Sequence, residues 1–124
     1  KLYSELIPND KPLEKVKAQN IYKEILESKA FKIFVLEIDS KIISSCALSI
    51  IPNLTRGGKS YAIIENVITD SNYRKQGFGS ALMKYVIDFA LANNCYKIML
   101  QTGSKNPNTH SFYKKLGFSD KEGH

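Results

Sequence analysis

The chain has 124 residues, of which 43% are hydrophobic and 24% charged, and its formal net charge is +6. This length predicts one domain with a single core, and the composition excludes an intrinsically disordered chain. The apolar runs are too short for a transmembrane span, and two cysteines with two histidines provide neither a disulfide framework nor metal-ligand spacing. We therefore expect a cytoplasmic domain with no metal ion and no membrane partner.

The positive charge alone is compatible with several anionic partners. Lysines are scattered along the whole sequence, and aromatic residues do not interleave with them as a nucleic-acid stacking surface requires. We therefore expect no nucleic-acid partner, and an anionic small molecule remains the alternative use of the charge.

The first half of the chain predicts helices followed by a β-hairpin. Residues 2–7 have the pattern of the last turns of a helix, and Pro12 begins a second helix whose apolar face continues to Ser28. Residues rich in β-formers predict strands over 31–38 and 42–51. The Asp39-Ser40 pair between them predicts the hairpin turn, although the glycine typical of such turns is absent.

The second half predicts alternating strands and helices. Residues 61–69 form a strand that is apolar on both faces, which is typical of a central strand covered by helices. A buried helix over 80–93, a fourth strand over 96–102 and a short helix over 108–116 follow. A strand, a helix and another strand at this spacing predict parallel neighbours joined by a crossover. The predicted class is α/β or α+β with a mixed sheet.

Residues 74–79 (RKQGFG), here called the glycine turn, carry the strongest local signal. They lie between the central strand and the buried helix, where glycines let several backbone N–H groups point into one concavity. The positive end of the following helix dipole adds to this, so the segment predicts a phosphate or pyrophosphate site. It matches neither a Walker loop nor a dinucleotide fingerprint.

The glycine turn does not stand alone. Tyr73 and the turn, then a helix and a strand, then Asn106 and residues 112–118 (FYKKLGF), resemble the GNAT superfamily of acyl-CoA-dependent N-acetyltransferases. The resemblance runs from about Phe31 to Phe118 and implies a GNAT fold, with helices flanking a mixed central β-sheet, in a single acetyltransferase domain over residues 1–124. The first and last strands of that fold are then missing from this chain or supplied by a partner subunit, and a homodimer is one option.

The resemblance implies acetyl-CoA as the acyl donor, with no metal ion. The pyrophosphate of coenzyme A is expected on the backbone amides of residues 76–80, and the pantetheine arm is expected to pair with the third strand. Two cations and one asparagine complete the expected contacts. The implied cofactor-binding residues are Val67, Thr69, Arg74, Lys75, Gln76, Gly77, Phe78, Gly79, Ser80 and Asn106.

Two residues are candidates for proton transfer. Tyr113 suits the acid that protonates the leaving thiolate, since a phenol with a reference pKa of about 10 stays protonated at neutral pH; the alternative is a core aromatic residue. Glu65 is the candidate base, because burial in an apolar strand is expected to make a carboxylate a better proton acceptor. The alternative for Glu65 is a buried carboxylate that orders loops. Some family members place the acid on the next strand, where this chain has Gln101.

The resemblance implies an N-acetyltransferase that moves an acetyl group from acetyl-CoA to a primary amine of a small molecule or peptide by direct attack. The alternative is a catalytically silent acyl-CoA-binding or regulatory domain. Residues 94–100 (NCYKIML) are similar to a strand of glucosamine-6-phosphate N-acetyltransferases, which favours a small anionic amine. Arg56 and Lys59 are then either a substrate rim or part of a solvated loop. Polyamines, antibiotics and a protein N-terminus remain open as acceptors.

Overall fold

The structure, a computed structural model, describes residues 15–100, 102 and 107–119. The helix expected over residues 2–7 and the residues Gln101 and Asn106 lie outside this part of the chain. The described part folds into a four-stranded sheet with three α-helices and two short 3₁₀ turns. The α-helices and strands are α1 (Lys15–Glu27), β1 (Phe31–Ile38), β2 (Lys41–Ile51), β3 (Ser60–Thr69), α2 (Phe78–Ala92), β4 (Cys95–Leu100) and α3 (Pro107–Lys115).

The sheet is mixed, with the strand order β1-β2-β3-β4. β1 pairs with β2 and β2 with β3 in antiparallel fashion, whereas β3 and β4 are parallel and joined through α2. The mixed α+β fold, the central β3 and the crossover are therefore confirmed. The hairpin turn is also confirmed, and Asp39 and Ser40 both take positive φ values of 50° and 63°, as a type I′ turn requires even without glycine.

One hydrophobic core lies between α2 and one face of the sheet. α2 contributes Leu82, Val86 and Ala90, which stand four residues apart, and Met83, which is three residues before Val86, so all four share one helical face. Tyr113 of α3 joins the same cluster, so α3 packs on the α2 side of the sheet. This arrangement places the end of β3, the start of α2 and the middle of α3 next to one another.

The first described helix differs from its expected packing. The sequence predicts an apolar face for this helix, but no residue of α1 is buried, and Val16 and Leu26 are largely exposed. Among the described elements, α1 lies against β1. β1 is an edge strand of the described sheet. No helix in the described residues is long and apolar enough to cross a membrane.

Candidate cofactor and catalytic site

The glycine turn leads directly into α2. Gly77 is the N-cap with φ +87°, a left-handed conformation that favours glycine, and α2 begins at Phe78 rather than at Ser80 as the sequence predicts. The first helical bond runs from the Ala81 N–H to the Gly77 carbonyl at 3.0 Å. The preceding amides of α2 therefore have no carbonyl within the helix to bond, and they lie at the positive end of its dipole. This geometry is suited to an anion.

Polar and cationic side chains surround these amides. Arg74, Lys75 and Gln76 are exposed, as a phosphate-binding segment requires. Arg74 Nε donates to the Thr69 carbonyl at 2.9 Å, and Gln76 Nε2 donates to the Asn72 carbonyl at 3.3 Å. Arg74 thus ties the glycine turn to the end of β3, and Gln76 ties it to the 3₁₀ turn at Ser71–Tyr73.

Gly79 has a packing role that the sequence did not reveal. A Cβ atom at this position would lie 3.1 Å from Thr69 Oγ1 and 3.4 Å from Phe112 Cζ. Thr69 Oγ1 is itself held by Ser44 Oγ at 2.9 Å. Gly79 is therefore the point at which α2 comes close to both β3 and α3, which brings the glycine turn next to the end of β3.

Beyond Ile64, β3 has an edge beside the glycine turn with which no described strand pairs, here called the free edge of β3. Its pairing with β4 ends, within the described residues, at Ile64–Leu100, although β3 continues for five more residues. The Asp70 N–H donates to the Ile43 carbonyl across the β2 edge at 2.7 Å. Because the backbone groups of alternate residues point to opposite edges, those of Val67 and Thr69 point away from β2. An extended ligand can pair with them there.

A β-bulge interrupts β3 next to this edge. Ser45 pairs with Ile68 but Ala47 pairs with Glu65, so β3 has one extra residue between these pairs. Asn66 takes φ +54° within this stretch. The bulge reverses the alternation of side chains, and Val67 consequently packs against the α2-side core.

Tyr113 is buried next to the core aromatic residues. It is 9% exposed, and its ring centre lies 5.3 Å from that of Phe112 and 6.4 Å from that of Phe118. Burial raises the pKa of the Tyr113 phenol, and the nearby Cys46 thiol adds to the effect. A phenol in this position keeps its proton well above neutral pH, as a general acid must.

The prediction that Glu65 is buried is wrong. The side chain is exposed, because it lies on the Ala47 side of the sheet, one residue beyond the last β3–β4 pair among the described residues. Desolvation therefore does not support its assignment as a base. Gln101, the alternative position for an acid on the next strand, lies outside the described residues, as does Asn106.

Asp70 and Lys41 support the glycine turn, although neither was predicted from the sequence to belong to the site. Asp70 is 5% exposed, and its Oδ1 atom accepts a hydrogen bond from the Asn72 N–H at 2.9 Å. Its Oδ2 atom lies 3.4 Å from Lys41 Nζ in the β1–β2 hairpin. An aspartate directly after a strand and two residues before its amide donor is a recognisable Asx-turn signal, whereas the lysine has no local signal.

Arg56 and Lys59 lie at the other end of β3. The Arg56 guanidinium stands over the Tyr96 ring at 5.4 Å, and Tyr96 is near the start of β4. Tyr61 and Thr69 are eight residues apart on β3, which is roughly 26 Å at the usual strand rise. This separation favours the solvated-loop interpretation of Arg56 and Lys59 over a substrate rim next to the glycine turn.

Comparison with known proteins agrees with this architecture. Residues 1–118 match the acetyltransferase (GNAT) family. A glucosamine 6-phosphate N-acetyltransferase from Trypanosoma brucei brucei is 37% identical over 87 residues, which are 70% of this chain and 57% of that protein. The matched segment thus spans little more than half the length of this curated relative.

Solved structures show the same fold. A protein of Agrobacterium tumefaciens assigned as an acetyltransferase superposes with a TM-score of 0.93 at 36% identity, over 99% of this chain and 85% of its own. An acetyltransferase of Trypanosoma brucei superposes with a TM-score of 0.80 at 31% identity, over 99% of this chain and 84% of its own. These matches extend well beyond the glycine turn and confirm the resemblance stated from the sequence. The chain belongs to the GNAT acetyltransferase family.

Proposed function

We propose that this chain transfers an acetyl group from acetyl-CoA to a primary amine of a small molecule or peptide by direct attack of the amine. The observation that carries the proposal is the position of the glycine turn, whose amides at the start of α2 lie beside the edge of β3 that no described strand pairs with. Members of the GNAT acetyltransferase family use acetyl-CoA as donor. The relative from Trypanosoma brucei brucei is named as an N-acetyltransferase.

The residues of the glycine turn fit the diphosphate of coenzyme A. The amides of residues 76–80 would bind its oxygens, and the exposed cations Arg74 and Lys75 would neutralise its charge. Asn106 would add a further contact, as the family resemblance implies. These residues bind and orient the donor and take no part in bond making.

The free edge of β3 fits the pantetheine arm. This arm carries amide groups, and the backbone groups of Val67 and Thr69 that point away from β2 would pair with them as an added strand does. The Thr69 carbonyl already accepts a hydrogen bond from Arg74 Nε. The pantetheine arm would therefore bind next to the Arg74 guanidinium, at the same carbonyl oxygen. The bulge at Asn66 shapes this edge without disturbing the pairs to β2 on either side of it.

Tyr113 would provide the proton for the reaction. Bound acetyl-CoA supplies a thioester carbonyl that a neutral amine can attack and a thiolate leaving group. The Tyr113 hydroxyl would donate its proton to that sulfur, and its raised pKa keeps the proton available over the physiological range. The ring lies between those of Phe112 and Phe118, and Tyr113 is 9% exposed.

Glu65 remains the proposed base, acting directly or through water. An exposed carboxylate can accept the proton that the attacking amine loses and pass it to solvent. Its position on the sheet face opposite to α2 would leave the acceptor on one side of β3 and Tyr113 on the other. The two proton transfers would then be separated by the strand itself.

A silent acyl-CoA-binding domain is the second candidate. It is favoured by the packing of Tyr113 among the core aromatic residues, which a purely structural tyrosine would share. Both candidates bind coenzyme A, and only the first releases free thiol in the presence of an amine. The homodimer and the cytoplasmic location remain expectations of the sequence.

The experiment measures free thiol released from acetyl-CoA across a panel of amines. The panel contains amino sugar phosphates, polyamines, amino acids, aminoglycosides and short peptides, and the amino sugar phosphates represent the named substrate of the Trypanosoma relative. Turnover with one class and its loss in Tyr113→Phe would support the transferase. Coenzyme A binding without turnover on any amine would favour the silent domain, and absence of binding would refute both.

A further inference from the structure

A network of polar and aromatic contacts joins the β1–β2 hairpin to the segment that precedes α2. Its first member is Asp70, the residue directly after β3, which is buried although it carries a carboxylate. The Asp70 backbone donates to the Ile43 carbonyl at 2.7 Å and accepts from the Tyr73 N–H at 2.8 Å. Asp70 Oδ1 accepts from the Asn72 N–H at 2.9 Å. Asp70 therefore helps to fix the path of the chain out of β3 through both its backbone and its side chain.

Lys41 is the second member of the network. Its Nζ atom lies 3.4 Å from Asp70 Oδ2 and 5.3 Å from the centre of the Tyr73 ring. The Tyr73 ring centre in turn lies 6.2 Å from that of Phe78, the first residue of α2. The contacts therefore continue from the hairpin to the start of the helix that would hold the diphosphate.

The ion pair of Lys41 is expected to order the segment around Asp70 more than it stabilises the whole fold. The Lys41 side chain is 45% exposed, and such ion pairs add little to global stability. The Asp70 carboxylate is buried, however, and burying a charge is costly, so loss of the Lys41 ammonium beside it would act on the segment around Asp70. That segment leads into Lys75, a non-glycine residue at φ +62°, which has to be held in place by its surroundings.

We propose that Lys41 is a positioning residue for the cofactor site, which acts through Asp70 and Tyr73 on the glycine turn. The inference rests on the proposed coenzyme A site and adds a residue far away in the sequence to it. Binding of the diphosphate requires that the amides at the start of α2 already point to one place, since ordering them on binding would cost affinity. Lys41 supplies this order from the hairpin.

The test must separate this role from direct attraction between the lysine and the phosphates. Removal of the ammonium weakens coenzyme A binding in both cases. Asp70→Asn separates them, because it adds positive charge to the site but breaks the same contact with Lys41. Direct attraction predicts equal or tighter binding for Asp70→Asn, whereas positioning predicts weaker binding.

Calorimetric titration with coenzyme A would use the wild-type chain, Lys41→Met, Lys41→Arg, Asp70→Asn and the double variant. We expect Lys41→Met and Asp70→Asn each to raise Kd on the order of 5- to 10-fold, with the double variant no weaker than the weaker single variant. Lys41→Arg keeps the charge and should stay within about twofold of wild type. Lys32→Met is the matched control, because it removes one exposed lysine from β1. Additive losses, or tighter binding by Asp70→Asn, would overturn the proposal.

Amide hydrogen exchange on the protein alone gives a readout that does not depend on coenzyme A. Lys41→Met should increase exchange at the Asn72 and Tyr73 amides several-fold without a matching change in the strands, and Lys32→Met should not. If wild type binds no coenzyme A, the proposed function fails while this measurement still decides whether Lys41 orders the segment. Unchanged exchange in Lys41→Met would refute the positioning role.

Discussion

Gly79→Ala should destabilise the protein even though alanine is the better helix former. The added Cβ atom would lie 3.1 Å from Thr69 Oγ1 and 3.4 Å from Phe112 Cζ. Neither neighbour moves freely, since the threonine hydroxyl is bonded to Ser44 Oγ at 2.9 Å and Phe112 packs against the core. Overpacking of this kind costs about 1–3 kcal/mol. The gain in helix propensity is at most about 1 kcal/mol. We therefore expect a net loss of up to about 2 kcal/mol in the free energy of unfolding.

Urea denaturation of a double-mutant cycle measures this clash directly. Thr69→Ala removes the Oγ1 atom, so Gly79→Ala should cost less in that background than in wild type. Thr69→Val is the matched control, because it loses the same hydrogen bond but keeps an atom near the new Cβ. An equal cost of Gly79→Ala in the wild-type and Thr69→Ala backgrounds, or a stabilisation by Gly79→Ala, would refute the reasoning.

Three further predictions concern proton transfer and burial. Tyr113→Phe should lower kcat far more than it raises Kd for coenzyme A; steady-state kinetics and calorimetry test this, and equal losses would make Tyr113 a residue that only shapes the pocket. Glu65→Gln should flatten the acidic limb of the pH–rate profile, and an unchanged profile would remove Glu65 as the base. Burial raises the pKa of the Cys46 thiol to about 12. Because the unfolded thiol ionises first, the free energy of unfolding should fall from about pH 9 upwards, by at most about 1.4 kcal/mol per pH unit for this group. Denaturation series at several pH values would show a smaller slope for Cys46→Ala than for wild type, and equal slopes would contradict the assignment.

The order of strands and helices was readable from the sequence because it depends on local patterns. A run of β-forming residues that is apolar on both faces placed β3 within one residue of its observed bounds, and Asp39-Ser40 marked the hairpin. The start of α2 was placed two residues too late, since glycine is a poor helix former and the sequence suggested a turn through Gly79. In the structure Gly79 lies inside the helix. A glycine suits this position because a side chain there would contact Thr69 and Phe112.

The environment of Glu65 could not be read from its strand. The apolar residues around it indicated burial on both faces, and this holds for Ile64 but not for Glu65. Two non-local features decide the exposure, namely the end of pairing with β4 after Ile64 and the bulge at Asn66. Neither has a dependable signal in a single sequence.

The contacts of Asp70 show the same division between local and distant information. Its bond to the Asn72 amide connects residues two apart and is a pattern that the sequence displays. Its ion pair with Lys41 depends on how β2 lies against β3 in the folded sheet. The support of the glycine turn by the hairpin therefore became visible only in the structure.

The proposed coenzyme A site is tested most directly by titrating the isotope-labelled chain with coenzyme A and following the chemical shifts of its backbone amides. We expect the largest changes at residues 76–80 and at Val67 and Thr69, with little change around Tyr61 and Tyr96 at the other end of β3 and β4. Changes centred on Tyr61 and Tyr96, or no change at millimolar ligand, would contradict the claim that the glycine turn and the free edge of β3 form the coenzyme A site.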